Sequence, residues 1–383
     1  MRILLLHSSS DVYGASKIFL QTVKVFQQQG HTCHVVVSNE GPLVEQLKKC
    51  GAHVQMINLG IIRRKYFTPM GIINRISKCT NASKQLSDII QKQNIELIYS
   101  NTTAVLIGVW VANKNKIPHY WHVHEIIEKP RFLFHMIRWM MKNRSTKIIC
   151  VSKAVQDHWS KNDASLQSKM QLIYNGIEPI EKSTKPNFKS QYSIPSNAIV
   201  IGMAGRVHYW KGQAYFLQIA KQLLQLVSPN EIQAPLYFII TGDAFPGYEY
   251  LVKDIQHFIQ SNKLGDRIFY TGFENQMDSF YSAVDIVILP SQLPDPLPTV
   301  VLEAMQYGIP VVATPQGGAM EMITNNETGI LIPMNDVSIA VDKIQALIQS
   351  KNYLSMGLMA KQKVQQYFSV MSFEQNMSKL MQS

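Results

Sequence analysis

Short runs of β-branched and other apolar residues alternate along this chain with longer stretches whose apolar positions recur every three or four residues. That alternation predicts parallel sheets, because an intervening helix carries the chain back along the sheet and consecutive strands then point the same way. In the first half, strands are expected at Ile3 to His7, His34 to Ser38, Glu96 to Ser100, His119 to Val123 and Lys147 to Ser152. Phe19, Val23 and Phe26 share one helical face between the first two, and Gly30 ends that helix. A second series begins near Ala198, with buried parallel strands read at 198–205, 235–242, 267–272, 285–290 and 309–314. Phe216, Ile219, Ala220, Leu223 and Val227 form the core stripe of its first helix. The repetition predicts an α/β chain of two doubly wound, Rossmann-like domains.

Residues 177–197 are rich in Pro, Ser, Lys and Asn, lack periodicity and follow the turn signal Asn175-Gly176. They place a linker at 178–197, between a first domain at 1–177 and a second at 198–365. The tail is helical in pattern, and its last helix, within 366–383, is expected to pack back on the first domain.

With 383 residues, 46% hydrophobic and 16% charged, the chain can bury a large core. Cys33, Cys50, Cys79 and Cys150 lie far apart, with no C-x-x-C pair and no histidine cluster at zinc spacing. Reduced thiols in a cytosol-like compartment are expected, with no structural metal. Only four consecutive apolar residues precede His7, too few for a signal-peptide core, and no apolar run reaches the length of a membrane span. The reading is therefore cytoplasmic, or peripheral on the inner face of a membrane. A net charge of +11 favours anionic partners. No zinc-finger spacing or RNA-recognition aromatic signature accompanies it, which argues against nucleic acid.

Open parallel sheets bind ligands beyond the carboxyl ends of their strands, so chemistry is expected in the loops there. In DPLPTVVLEAM, Asp295 and Glu303 stand eight positions apart. Pro296 and Pro298 exclude helix up to that point, Thr299 is placed to cap the helix that follows, and Glu303 falls about one turn in. A helix start suits a phosphate and a carboxylate suits ribose or sugar hydroxyls, a combination that a nucleotide sugar satisfies. From spacing alone the same two residues read more simply as a loop acid and a helix acid complementing the dipole. Arg206 and Lys211 flank a strand-to-helix turn where they form either a diphosphate clamp or ordinary surface cations. Gly14 lets backbone approach an anion, or simply makes a tight turn. Neither G-x-G-x-x-G nor a P-loop is present. His122 and His124 lie on one side of a strand end beside Glu125, without a third metal ligand and without a D-x-D motif in the chain. They read as hydrogen-bonding or catalytic histidines, or as core ones.

Taken in order, GMAGRVHYWKG, IITGDA, YTGF, DPLPTVVLEAMQYGIPVVATPQGGAMEMI and TGILIP resemble glycosyltransferase family 4 between Gly202 and Pro333. VYGAS, WHVHE, CVSKAV and IYNGIE fit the same family more loosely in the first half. These are retaining enzymes of the GT-B fold, two Rossmann-like domains facing a central cleft, and they include bacterial polysaccharide and lipid-linked sugar transferases. The resemblance implies that Arg206 and Lys211 bind the donor diphosphate, with Gly14 lining the cleft from the other domain. Backbone around Thr299, Val300 and Val301 would face the phosphates or sugar, and Glu303 would hold the ribose. Asp295 would take the first acidic position of the E-x7-E motif, and His124 would lie by the transferred sugar, with His122 the fallback. Thr271, Gly272 and Phe273 would pass near the nucleobase. The implied partners are a UDP- or GDP-sugar donor and a glycan or lipid-linked acceptor, with no cofactor and no metal. Two departures stand out: Asp295 replaces a glutamate, and Tyr13-Gly14-Ala15-Ser16 stands where many relatives carry two glycines and a glutamate. Two further readings keep the architecture: a sugar-nucleotide epimerase and a catalytically silent nucleotide-sugar-binding subunit.

Residues 129–147 are basic and amphipathic, with Arg131, Arg138, Lys142, Arg144 and Lys147 among Phe, Met and Trp side chains. The segment reads as a seat on an anionic membrane surface or as a packed helix with solvated cations.

Overall fold

The computed structural model describes residues 1–382 apart from 13, 62–65, 67 and 227–233. The chain divides into two compact units, Met1–Gly176 with Val370–Ser383, and Ile177–Ser369. The first is built on seven parallel strands: β1 (Arg2–His7), β2 (Thr32–Val37), β3 (His53–Met56), β4 (Leu97–Asn101), β5 (His119–Val123), β6 (Lys147–Cys150) and β7 (Met170–Leu172). Their order is β3-β2-β1-β4-β5-β6-β7. The two edge strands were not legible in the sequence, because β3 has little buried surface and β7 is three residues long.

Alternation along β1 feeds both faces of this sheet. Ile3 and Leu5 join one apolar cluster, while Leu4 and Leu6 join the other. The first cluster holds Phe19, Val23 and Phe26 of the helix Ala15–Gln28 together with Phe373, Met377 and Leu380 of the helix Val370–Gln382. The last helix is thus part of the first unit's core.

The second unit carries β8 (Ile199–Ala204), β9 (Leu236–Thr241), β10 (Ile268–Gly272), β11 (Ile286–Leu289), β12 (Val311–Ala313) and β13 (Gly329–Leu331), all parallel, in the order β10-β9-β8-β11-β12-β13. Phe216, Ile219, Ala220 and Leu223 of the helix Gln213–Leu226 are buried in its core. Val227, expected on the same stripe, lies outside the described residues. The stretch read as a linker folds onto this unit. Phe188 is buried with its ring edge-on to Phe280, and the Ser183 N–H donates to the Asp278 carboxylate at 3.0 Å.

In each sheet the strand order reverses beside the first strand, between β1 and β4 and between β8 and β11. Loops diverge there, and a crevice opens beyond the carboxyl ends. Among the described residues no helix is long and apolar enough to cross a membrane.

Candidate functional site

At the carboxyl end of the second sheet, three loops are tied together through their backbones. Gly205 N–H donates to Thr241 O at 3.0 Å, Val207 N–H to Asp243 O at 2.9 Å, and Gly242 N–H to Gly272 O at 2.8 Å. Arg206 stands exposed on the first of these loops, with its guanidinium 5.0 Å from the Phe245 ring centroid. Gly272 O also accepts from the Thr241 hydroxyl at 3.1 Å, so Thr271 and Gly272 are held at the rim while the Phe273 ring is exposed.

Lys211 ends a 3-10 turn at Tyr209–Lys211. Gly212 follows with φ 85°, and a Cβ there would overlap the Pro290 carbonyl, so only glycine lets this turn press against the end of β11. The contact brings Lys211 Nζ to 2.5 Å from Asp295 Oδ2, with the two side chains 18% and 14% exposed. The ammonium also lies 4.2 Å from the Trp210 ring centroid. Gly317 and Gly318 press on the other side of the Asp295 loop, where Gly318 N–H donates to Asp295 O at 2.8 Å. The sequence reading quoted this glycine pair but gave it no role.

The helix beyond Asp295 runs Thr299–Gln306, and Pro298 occupies the cap position with no side-chain cap. Thr299 is therefore its first helical residue and not its cap, because the extended Pro298 already sets the entry. Val301 N–H donates to Pro298 O at 3.1 Å, which leaves the N–H groups of Thr299 and Val300 without acceptors inside the helix. Glu303 is half-buried, and its Oε2 accepts from the Tyr281 hydroxyl at 2.8 Å. Burial and the Glu303 charge hold the Tyr281 phenol well above its ordinary range. No sequence signal marked Tyr281.

The first unit brings together a second polar group. Asn101 Nδ2 lies 3.2 Å from Ala15 O, which orients the amide, and it donates to His7 Nδ1 at 3.0 Å. His7 Nε2 then donates to Ser16 Oγ at 2.9 Å, and the Ser16 hydroxyl to Asp11 Oδ1 at 2.7 Å. At the other end His124 Nε2 donates to Asn101 Oδ1 at 2.9 Å, so the neutral ring keeps its lone pair on Nδ1. Burial lowers His7 to about 4 and His122 to about 3, and it lowers His124 well below 6.5 with help from the two neighbouring histidines. His122 is fully buried, takes the Tyr99 hydroxyl on Nδ1 at 2.8 Å and meets the His124 ring at 4.2 Å. Glu125 Oε2 accepts from the backbone N–H groups of Thr103 and His124, at 3.0 and 3.1 Å. Gly14 precedes the helix Ala15–Gln28, with φ 49° and no Cβ contact within reach. It belongs to the first unit, whereas Arg206, Lys211, Asp295, Thr299, Val300, Val301 and Glu303 belong to the second.

Among the described residues no three His, Cys, Asp or Glu side chains form a metal-holding group. The basic segment forms the helix Arg131–Arg144, which buries Ile137, Met140 and Met141 and leaves Phe132 and Trp139 exposed. Arg138 and Lys142 reach Asp163 at 3.7 and 2.9 Å.

Residues 12–180 match the family model described as Glycosyltransferase Family 4, and residues 184–363 match that for Glycosyl transferases group 1. A UDP-Gal:alpha-D-GlcNAc-diphosphoundecaprenol alpha-1,3-galactosyltransferase of Escherichia coli is 21% identical over 91% of this chain and 87% of its own length. An uncharacterized glycosyltransferase of Methanocaldococcus jannaschii is 30% identical over 55% of this chain. A lipopolysaccharide 1,2-N-acetylglucosaminetransferase of Salmonella typhimurium is 27% identical over 48% of it. The chain spans about half the length of the latter two, 53% and 48%. Among solved structures, Anabaena HepE in complex with UDP superposes with a TM-score of 0.81 at 22% identity, over the whole of both chains. A glycosyltransferase from Rickettsia africae also gives 0.81 at 21% identity, over 99% of this chain and 97% of that one. These likenesses establish the fold.

Proposed function

The chain belongs to the glycosyltransferases described by the two family models that span its halves, and from that premise we propose that it moves a sugar from a nucleotide-diphosphate donor to a hydroxyl of a glycan or lipid-linked acceptor. The observation that carries the reading is the convergence of Lys211, Asp295 and a helix N-terminus on one rim of the second sheet, where strand order reverses. A uridine donor is favoured by the UDP held in the HepE structure and by the UDP-Gal in the name of the E. coli relative.

The chemistry follows from charge flow. Breaking the bond between the anomeric carbon and the phosphate oxygen builds negative charge on the leaving diphosphate. Lys211 and the open N–H groups of Thr299 and Val300 are fixed donors for that charge, with the exposed Arg206 as a further cation, and the charge needs no metal. Glu303, steadied by Tyr281, takes the ribose hydroxyls. Asp295 orients Lys211 and faces the donor sugar, while Thr271, Gly272 and Phe273 border the nucleobase. In the first unit His124 offers Nδ1 as an acceptor toward the transferred sugar, and Gly14 leaves room for the phosphates. Transfer with retention places the acceptor hydroxyl on the face from which the diphosphate leaves, and a phosphate oxygen takes its proton.

A thermal-shift screen against uridine-, guanosine- and adenosine-diphosphate sugars tests the donor assignment, since a ligand that binds only the folded chain raises its melting temperature. A UDP-sugar should raise it most. Nucleotide release should then require an acceptor; turnover to an isomeric nucleotide sugar with no acceptor would point to an epimerase, and binding without release to a silent subunit. No shift with any of the three would remove the donor site.

A further inference from the structure

The first unit contains a cavity of about 630 Å³ that the transferase reading leaves unused. Two helices form its walls. Ile72, Ile76 and Cys79 lie on one stripe of the helix Pro69–Gln93, and Ile107 and Trp110 on one stripe of the helix Ile107–Asn115, with Leu59 on the floor. The volume falls within the roughly 300–1,000 Å³ of pockets that enclose small ligands. Ile76 and Trp110 nevertheless remain 60% and 64% exposed, a local concentration of bare apolar surface that a soluble fold seldom keeps without an occupant.

Charge identifies the occupant. Arg75, Lys84 and Lys114 line the same cavity and, among the described residues, no acidic one does. The lining is therefore apolar in its depth and cationic around it, complementary to a hydrocarbon chain that ends in a phosphate. A free glycan fits poorly, because among the described residues the uncharged hydroxyl groups lining the cavity are those of Thr80, Ser83 and Tyr66, and sugar hydroxyls would lose water without replacement.

Position links the cavity to the histidine group. Leu59 follows β3, and Ala104 and Leu106 follow β4, so part of the lining comes from the carboxyl end of the sheet. Ala104 adjoins Thr103, whose N–H shares the Glu125 carboxylate with the N–H of His124. We propose that this cavity binds the hydrocarbon chain of a lipid phosphate, with Lys84 and Lys114, toward the C-terminal ends of their helices, receiving the phosphate. The binding does not rest on the transferase reading.

The test uses the full chain and geranylgeranyl phosphate below its micelle concentration, with inorganic phosphate and geranylgeraniol as comparisons. Geranylgeranyl phosphate should bind saturably and more tightly than either. Ile76→Glu should weaken it by at least about tenfold, because the new carboxylate would lose water against the chain and repel the phosphate. Lys84→Glu with Lys114→Glu should weaken it by about three- to tenfold at low salt and much less at high salt. Neither change should alter UDP affinity, so failure of this proposal and failure of the nucleotide-sugar reading register separately. A photoreactive geranylgeranyl phosphate should label residues 69–84 or 104–114 of the unaltered protein, whatever the variants' folding. Absence of saturable binding, labelling elsewhere, or binding to phosphatidylglycerol vesicles without any affinity for the monomeric probe would overturn it.

Discussion

Lys211 Nζ sits 2.5 Å from Asp295 Oδ2, joining the loop that leaves β8 to the loop that leaves β11 across the point where strand order reverses. The pair is mostly shielded from water, so each charge depends on the other. Removing one partner strands the other at a cost of about 1–3 kcal/mol. In the proposed donor site a bound diphosphate would supply Lys211 with a second negative partner. Asp295→Asn should therefore melt earlier than the parent in the absence of ligand, yet gain more from saturating UDP, because the ammonium then has only the phosphates to answer it. Differential scanning fluorimetry reads both effects. An equal UDP shift in parent and variant would separate Lys211 from the diphosphate. Lys211→Ala should lower turnover on the order of 10²–10³, as loss of a single donor to a developing anion does.

Glu303 and Tyr281 make a second, separable prediction. The Tyr281 hydroxyl donates to Glu303 Oε2 at 2.8 Å and so holds the carboxylate in one rotamer. Tyr281→Phe removes about 0.5–1.5 kcal/mol of positioning, which appears as a roughly two- to tenfold rise in donor KM with kcat little changed. Glu303→Ala should go further and abolish the preference for UDP over its 2′-deoxy and 3′-deoxy analogues, measured by competition. If those preferences survive, Glu303 does not hold the ribose.

Acid should weaken the first unit through its buried histidines. His7 is held at about 4, lowered by burial against a weaker opposing pull from Asp11, while an unfolded histidine titrates near 6.5. Between those values the unfolded chain binds a proton that the folded chain refuses, so stability is fully present above about pH 6.5 and falls as pH drops toward 4. The slope reaches about 1.4 kcal/mol per pH unit for each such histidine. Melting temperature should decline across that window, and His7→Gln should flatten the decline relative to its own value at pH 7.5. A variant whose curve parallels the parent's would assign the acid sensitivity elsewhere.

Long, periodic and apolar elements were legible in the sequence. β1, β5, β8 and β9 announce themselves because each carries several buried side chains in a row. β3, β7 and β13 did not, since each is an edge strand of only three or four residues, whereas the edge strand β10 has five and the three-residue β12 sits inside its sheet within the apolar run 309–314. The same asymmetry governs the site. Asp295, Arg206 and Lys211 stand in loops that follow strands and Glu303 in the helix beyond, so chain position alone makes them candidates. Tyr281 is far from Glu303 in sequence and meets it through packing of separate elements, and Asn101 reads as the unremarkable last residue of a strand until its amide is seen between His7 and His124. The Thr299 cap was misplaced for a local reason: Pro298 adopts the pre-helical conformation itself, which moves Thr299 one position inward.

Gly317 offers the sharpest test of how the Asp295 loop is held. Its φ is 55°, and a Cβ built there would overlap the backbone of Asp295 itself. Gly317→Ala therefore combines left-handed strain with a steric push on a residue at the centre of the site, at a cost of about 1–3 kcal/mol. Gly265→Ala is the matched control, because its Cβ would meet nothing within 4 Å and its φ is not positive. The control should melt within about a degree of the parent, and Gly317→Ala should melt several degrees lower. Because the overlap falls on Asp295, the Lys211 pair should loosen as well, so UDP affinity should drop in Gly317→Ala and stay level in Gly265→Ala. Lowered stability with unchanged UDP affinity would mean that the glycine serves the fold alone and that the position of Asp295 is not what the nucleotide reads.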